Sequence, residues 1–494
     1  MLYLLRVYIS IMEDIILQGF SWASYKDREH LSKWRELNKH VEDISHYFTK
    51  VWLPPSAYSK DLMGYWPYQL SNQNSCWGSE EELKELIDNF HMHDVEVIGD
   101  IILTHRAQFD GDKSFDEEID NQIFTFKHND WSEDFIEHPD GGKCRMLAFT
   151  DNTKNIYKRY LKYLHDEIGY DGFRIDIAKA LSDIEWAKDV LSDYEYVIHE
   201  YYDTNVDKLK EYISNFPNTH KMFNFRWKYG VCNNGLAKGV YNTLLTENNV
   251  EQDFANRNIN FIENHDTQDC FAAYVEKSDA DKIILANAVM LTSPITPCVF
   301  WRDWVEKKDT IKYLIDIRKA YKIGTGINKR IAWLNPAKTI YTVQYENQMD
   351  ESSMFFFSWN MEDSFKIDAI KENIKTFASQ RGLNINLEGK YFLICGTKHI
   401  DAPEKEEVNQ KELKLKAHDI EIEFHNDENW ENVYFFEIKP NEDEEKSKKR
   451  WPGVKMEKEN GVYKKVLKNR KFVEYVINNG NEDCPRQTAD LYKE

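Results

Sequence analysis

Two acidic residues in this chain stand where chemistry could be done: Asp176 in GFRID and Glu200 in YVIHE. Each closes a short apolar run that reads as a buried strand, and the two runs are one β/α/β step apart. Two carboxyl groups held about 5–5.5 Å apart are what hydrolysis of a glycosidic bond with retention requires. One attacks the anomeric carbon; the other protonates the leaving oxygen and later activates water. Arg174 lies two residues before Asp176 and so shares its strand face. A guanidinium there is expected to keep the Asp176 carboxylate ionised and oriented. Glu200, as the acid, has to carry a proton into the reaction. Asp266 in NHD offers a third carboxylate for sugar hydroxyls, while Asp100, His105 and His265 add further hydrogen-bonding groups. Taken singly, a strand-end Asp is more often a helix cap, by about four to one, and an Arg–Asp pair is usually only an ion pair. The distinguishing feature is that all of them fall at the same end of successive strands.

Those strands are IILQGFSW (15–22), VWLPPS (51–56), VEVIGDIILTH (95–105), GFRID (172–176), YVIHE (196–200), MFNFRW (222–227), NFIENHD (260–266) and TPCVFW (296–301). Helical patterns such as SEEELKELIDNFHMH and NTKNIYKRYLKYLHDEI lie between several of them. Strand–helix alternation on this scale predicts parallel β/α units, and eight of them fit an α/β chain with a (β/α)8 TIM barrel. In such a barrel the C-terminal strand ends form the catalytic face. The barrel is expected to comprise 13–106 and 151–304. A short irregular insertion at 107–150 leaves it after strand 3. Strand signals in TIYTVQYEN, SMFFFSWN and KYFLICGT predict a C-terminal β domain over 305–400. The charged stretch 401–418 reads as a linker, and 419–494 as a terminal β-sandwich.

The chain has 494 residues and a formal net charge of −21, which disfavours nucleic acid and anionic membrane surfaces as partners. Seven cysteines, an odd number without a CxxC pair, indicate neither a disulfide framework nor a zinc site. Free thiols suit a reducing compartment, and the apolar start MLYLLRVYISIM lacks a small-residue cleavage site. A cytoplasmic monomer without a membrane span is the expectation.

The ordered motifs resemble the α-amylase family, glycoside hydrolase family 13, and within it the plant-type α-amylases. The likeness runs from about residue 15 to 320. DIILTH (100–105), GFRIDIAK (172–179), VIHEYY (197–202) and FIENHD (261–266) are similar to the four family motifs. The resemblance implies Asp176 as nucleophile, Glu200 as general acid and base, and Asp266 as the transition-state carboxylate. Substrate contacts are implied at Asp100, His105, Arg174, Lys179 and His265. GYWPYQL suggests Tyr65 as the ring beneath the sugar being cleaved. The implied partner is an α-1,4-glucan such as starch, glycogen or maltodextrin.

Two positions depart from the family pattern. Its first motif ends Asn-His, where the Asn is a calcium ligand, and here the position is Thr104. Its second ends Lys-His, where the His carbonyl binds calcium, and here it is Ala180. The expectation is therefore no cofactor and no metal residue, with the calcium site absent or weakened at Thr104 and Ala180, and with Asp110, Asp112 or Asp151 as the oxygens that a remaining calcium would use. The tail resembles a starch-binding module of carbohydrate-binding module family 25 or 26. It does so through IEFHNDENWENVYFFE, RWPGVKM and YVINNGNEDCPRQTADL. Trp451, with Tyr434 and Phe436, is expected to form a ring platform for a glucan face. A glucan transferase or debranching enzyme of the same family would carry the same catalytic residues. A silent α-glucan-binding scaffold would be expected to have lost one of them.

Overall fold

The computed structural model describes residues 14–402 apart from 27–29, 62, 108–114, 121, 138–142, 247–255, 269–279, 325–327 and 362. Beyond 402 it describes 418–424, 432–438, 452–459, 462–470, 473–478 and 491–493. The chain divides into two compact units, Met1–Glu404 and Lys405–Glu494.

The first unit is built on a closed eight-stranded barrel. Its strands are β1 (Ile16–Gln18), β2 (Lys50–Leu53), β3 (Glu96–Ile101), β4 (Gly172–Ile175), β5 (Val197–His199), β6 (Lys221–Phe223), β7 (Asn258–Phe261) and β8 (Thr296–Phe300). Every pairing between them is parallel, and β1 closes the ring by pairing with both β2 and β8. The strands read as continuous apolar runs because they are covered on both sides; β1, β2, β4, β5, β7 and β8 are buried throughout. Gly172, opening β4, is required by close approach, since a Cβ there would stand 2.3 Å from the Tyr196 carbonyl oxygen.

Helices between the strands follow from amphipathic spacing and caps. Helix Glu80–Met92 buries Leu83, Leu86, Ile87 and Phe90 at three- and four-residue intervals. Ser79 and Glu82 close a reciprocal capping box at its start. Helix Lys308–Ala320 follows β8 and buries Ile311, Leu314, Ile315 and Ile317, while Arg318 Nη1 donates to the Leu291 carbonyl at 2.9 Å. It belongs to the barrel's helical ring, so the β domain begins later than the expected residue 305. The cause is the charge of the WRDWVEKKD run that leads into the helix, which masks its apolar stripe.

The insertion after β3 is more regular than its acidic composition suggests. Strands Phe115–Ile119 and Gln122–Phe126 pair as a hairpin, and His105–Arg106, Lys143–Leu147 and Trp131–Glu137 form a three-stranded sheet. Arg106 fastens it to the barrel: its guanidinium is fully buried, donates to Glu117 Oε2 at 2.8 Å and to the Tyr68 carbonyl at 2.6 Å.

After the barrel comes a five-stranded antiparallel sheet. Its strands are β9 (Asn328–Leu334), β10 (Ile340–Asn347), β11 (Ser353–Trp359), β12 (Asn384–Glu388) and β13 (Phe392–Gly396), in the order β9-β10-β11-β13-β12. Helix Ser364–Gln380 lies on it, with Phe377 edge-on to Phe355 and Phe357. The second unit holds two antiparallel sheets of three and four strands, with Val433, Phe435, Met456 and Ile477 buried. Among the described residues no helix is long and apolar enough to cross a membrane.

Candidate active site

The C-terminal ends of the barrel strands gather the polar residues. Arg174, on β4, is fully buried and contacts three acids. Its Nη1 donates to Asp100 Oδ1 at 2.8 Å and to Asp176 Oδ1 at 2.9 Å, and its Nη2 lies 2.8 Å from Glu200 Oε2. Asp176 and Glu200 each stand one residue past their strand. Their amides continue the ladder, Asp176 to the Ile101 carbonyl at 2.9 Å and Glu200 to the Ile175 carbonyl at 3.0 Å. One guanidinium thus bridges the two carboxylates that a retaining hydrolysis would use.

Behind them runs a second row of contacts. Asp100, on β3, accepts from Trp52 Nε1 at 3.1 Å and from the Tyr65 hydroxyl at 2.9 Å, both at Oδ2. That hydroxyl is 2.8 Å from His265 Nε2, and the Tyr65 and His265 rings stack at 5.2 Å and 8°. Gln18, on β1, places its side-chain nitrogen 3.1 Å from His265 Nδ1. Asp266 Oδ2 is 3.2 Å from His265 Nε2. Trp22 flanks the pair, with its ring centre 6.0 Å from that of Tyr65 and 5.6 Å from that of His265.

Burial dominates the electrostatics. Asp176 was expected to stay readily ionised beside Arg174. Instead, loss of solvation pushes its carboxyl well above the ordinary range, against the pull of Arg174 and with the push of Glu200 and Asp100. Asp100 is pushed up to about 6, again by burial first. Asp266 is raised the same way; although 45 % of its side chain is accessible, it sits in the crowded mouth of the barrel. Several acids share one guanidinium, so their protons come off as a group rather than residue by residue. His265 is held well below its ordinary value by burial and then by Arg174, so its imidazole is neutral.

Among the expected substrate contacts, Asp266 has 45 % of its side chain accessible, while Tyr65, His265, Asp100 and His105 are all buried, at 8 %, 1 %, 3 % and 2 % exposure. Asp100 is an acceptor for the protein's own donors. His105 has Nδ1 2.9 Å from Thr104 Oγ1 and Nε2 2.9 Å from the Tyr65 carbonyl oxygen, so it holds the Tyr65 loop. Strand alternation gives a side chain's direction, and these partners are visible only once the strands are packed. Lys179 stands at the rim, donating to the Tyr202 carbonyl and to Asp203 Oδ2, both at 3.0 Å. Tyr202 beside it is 55 % exposed and edge-on to Phe225 at 4.9 Å. Tyr202 lies within VIHEYY, Gln18 within IILQGFSW and Trp52 within VWLPPS, and none of these runs by itself gives its residue a role.

At the positions where the resemblance places calcium ligands, the described oxygens have partners within the protein. The Thr104 hydroxyl is engaged by His105 and its carbonyl accepts from Leu147 N at 2.9 Å. Asp151 has a 92 % exposed side chain paired with Lys154 at 2.9 Å. Among the described residues no three His, Cys, Asp or Glu converge to hold a metal. Asp110 and Asp112 lie outside the described residues, as does Trp451. Phe436 is 7 % exposed and packs into its unit rather than standing on a platform, while Tyr434 is half-buried. The YFFE run contains three successive rings, and pattern alone assigned the buried face incorrectly at Phe436.

Residues 422–493 match the family model of starch-binding module 26. The chain is 27 % identical over 348 residues to "Alpha-amylase 3, chloroplastic" of Arabidopsis thaliana, covering 63 % of this chain and 38 % of that protein. It thus spans well under half the length of that relative. It is 27 % identical over 355 residues to "Probable alpha-amylase 2" of the same plant, covering 64 % of this chain and 83 % of that one. In structure it is similar to the α-amylase of Geobacillus thermoleovorans, with a TM-score of 0.55 at 14 % identity, over 94 % of this chain and 98 % of that one.

Proposed function

We propose that this chain, which combines the barrel and ordered motifs of the α-amylases with a starch-binding tail, is a retaining endo-α-amylase cleaving α-1,4-glucosidic bonds. The observation that carries the reading is the Arg174 guanidinium bridging Asp176 and Glu200 at the catalytic face of the barrel. Asp176 attacks the anomeric carbon, and Glu200 delivers a proton to the leaving oxygen. Glu200 then takes a proton from the water that releases the product. Arg174 holds both carboxyl groups at the same place, which lowers the entropic cost of the encounter. Tyr65 offers its ring to the apolar sugar face. Asp266 and His265 meet the sugar hydroxyls as positive charge develops at the anomeric carbon.

The substrate class is an α-glucan, supported by the tail's match to a starch-binding module. We further propose that no calcium ion takes part, because Thr104 and Asp151 are committed elsewhere. The cytoplasm is the proposed location, supported by seven cysteines without a CxxC pair. The proposed working state is a monomer, tested by size-exclusion chromatography with light scattering.

The test is hydrolysis of soluble starch followed by NMR of the product anomers, comparing the wild type with Asp176→Asn and Glu200→Gln. Early α-anomeric maltooligosaccharides, with each variant slower by about a thousandfold or more, are the expected result. Disproportionation of maltooligosaccharides without new reducing ends would make the chain a transferase. No turnover of any α-glucan would leave a binding scaffold.

A further inference from the structure

Gln18 does not face the mouth of the site. It ends β1, is 1 % exposed, and its side-chain nitrogen lies 3.1 Å from His265 Nδ1. What it does there follows from counting protons along the chain of contacts behind the sugar-facing residues.

The Tyr65 hydroxyl has one proton and two neighbours, Asp100 Oδ2 at 2.9 Å and His265 Nε2 at 2.8 Å. Asp100 receives Arg174 Nη1 at one oxygen and Trp52 Nε1 at the other, so it is an acceptor on both sides. The Tyr65 proton therefore goes to Asp100, and the Tyr65 oxygen is left to accept from His265. Nε2 must then carry the hydrogen. A buried, neutral imidazole has only one, so Nδ1 is bare and needs a donor. The Gln18 amide is placed to be that donor. The same Nε2–H lies 3.2 Å from Asp266 Oδ2, and so it is aimed at the groups that meet the sugar.

We infer that Gln18 is a positioning residue that fixes His265 in the Nε2–H tautomer, and through it sets the orientation of Tyr65 and Asp266. The inference deepens the glucan-cleaving reading and rests on it for its kinetic consequence, though not for the tautomer itself. The remaining neighbours of His265 are the rings of Phe20, Trp22 and Trp52, with the charges of Arg174 and Glu200 acting through space. Of these, the Trp52 indole nitrogen is already committed to Asp100, and the Gln18 amide nitrogen is the group seen within hydrogen-bond distance of Nδ1 among the described residues.

The test uses the full chain labelled with 15N-histidine, with His265 assigned by its loss in His265→Asn. The wild type is expected to show a bare Nδ1 and a protonated Nε2. In Gln18→Met the two tautomers mix, and kcat falls by about tenfold or more while KM moves by less than about threefold, the loss of one oriented hydrogen bond. In Gln18→Glu the carboxylate draws a proton to Nδ1, so the ring charges at a pH where the wild type is neutral, and kcat/KM acquires a new titration. A purely structural glutamine would lower the melting temperature without moving the nitrogen signals. A protonated Nδ1 in the wild type overturns the proposal even if a variant fails to fold. So does a Gln18→Met chain with unchanged tautomer and kcat. If the wild type cleaves no α-glucan but its tautomer depends on Gln18, the positioning stands and only the substrate reading falls.

Discussion

The backbone N–H of Ile177 donates to Glu200 Oε2 at 3.1 Å, from a residue whose φ is +42°. A β-branched residue in the left-handed region costs of order 1–2 kcal/mol. The neighbouring contacts hold it there: Asp176 N bonds the Ile101 carbonyl, and Ala178 N bonds the Glu200 carbonyl at 3.0 Å. The turn redirects the chain sharply after Asp176 and points an amide at Glu200, the proposed proton donor.

Ile177→Gly removes that strain but also the restraint on the turn. Its melting temperature is expected to stay within a few degrees of wild type, because relief and added chain entropy offset each other. The value of kcat is expected to fall about tenfold as the amide loses its aim. Calorimetry and a starch assay on the same preparation check both; an unchanged kcat would mean Glu200 does not use this amide.

Asp100→Asn tests the buried acceptor behind Tyr65. Burial raises the Asp100 carboxyl to about 6 within a cluster of acids that titrates together, so the cluster loses negative charge as pH falls through that range. The wild-type kcat/KM should decline below about pH 6. The variant, with no carboxyl to titrate there, should be slower by about a hundredfold at pH 7 and flatter over the same range. Stability runs the other way. A carboxyl raised on folding contributes fully below its unfolded value near 4 and loses that contribution as pH rises through 6.

The His199–His220 pair behind β5 provides the opposite sign. His199 Nε2 lies 3.1 Å from His220 Nδ1, and both are fully buried. Burial lowers both, His220 to about 4. Stability from a lowered histidine is present above its unfolded value near 6.5 and is lost as pH falls through 4, by up to about 3 kcal/mol for His220. Urea midpoints at pH 7, 5.5 and 4 should fall more steeply for wild type than for His220→Gln. Parallel lines would rule the pair out as a source of acid sensitivity.

The fastening of the insertion is tested at Arg106 and Glu117. Glu117→Gln removes the buried carboxylate 2.8 Å from the Arg106 guanidinium and is expected to destabilise the fold by about 3 kcal/mol, whereas replacing both residues by Met should cost much less. Limited proteolysis within 107–150, beside thermal melting, distinguishes local release of the insertion from global unfolding.

Chelation by excess EDTA, followed by dialysis, is expected to leave starch hydrolysis and the melting temperature unchanged, since Thr104 and Asp151 are engaged within the protein. A drop restored by added calcium would overturn that expectation.

The motifs made the barrel and the gathering of Asp176, Glu200 and Asp266 at one end of it legible, because each acid closes an apolar run whose burial is written in its composition. What they could not convey is packing: that Asp100 accepts from Trp52 and Tyr65 shows only in the folded barrel, and the charge state of Asp176 depends on how many acids share Arg174. Gln18 was invisible for a related reason: a glutamine in a strand acquires meaning only when β7 carries His265 beside it. Helix Lys308–Ala320 was missed because its basic and acidic residues outnumber the apolar ones that face inward. In the tail, successive rings at 434–436 left the buried face ambiguous until Phe435 and Phe436 were seen to pack inward.

Gln18 stands on the strand that pairs with the last one of the barrel, β8, and bonds to a residue that follows β7. The hydrogen-bonded row behind the sugar therefore spans the point where the two ends of the sheet meet. No partly assembled barrel can hold it, however much helix has formed. During refolding, recovery of activity should lag recovery of far-ultraviolet dichroism, so turnover serves as a clock for ring closure. A chain cut between β4 and β5 should likewise regain turnover only once its two pieces have joined.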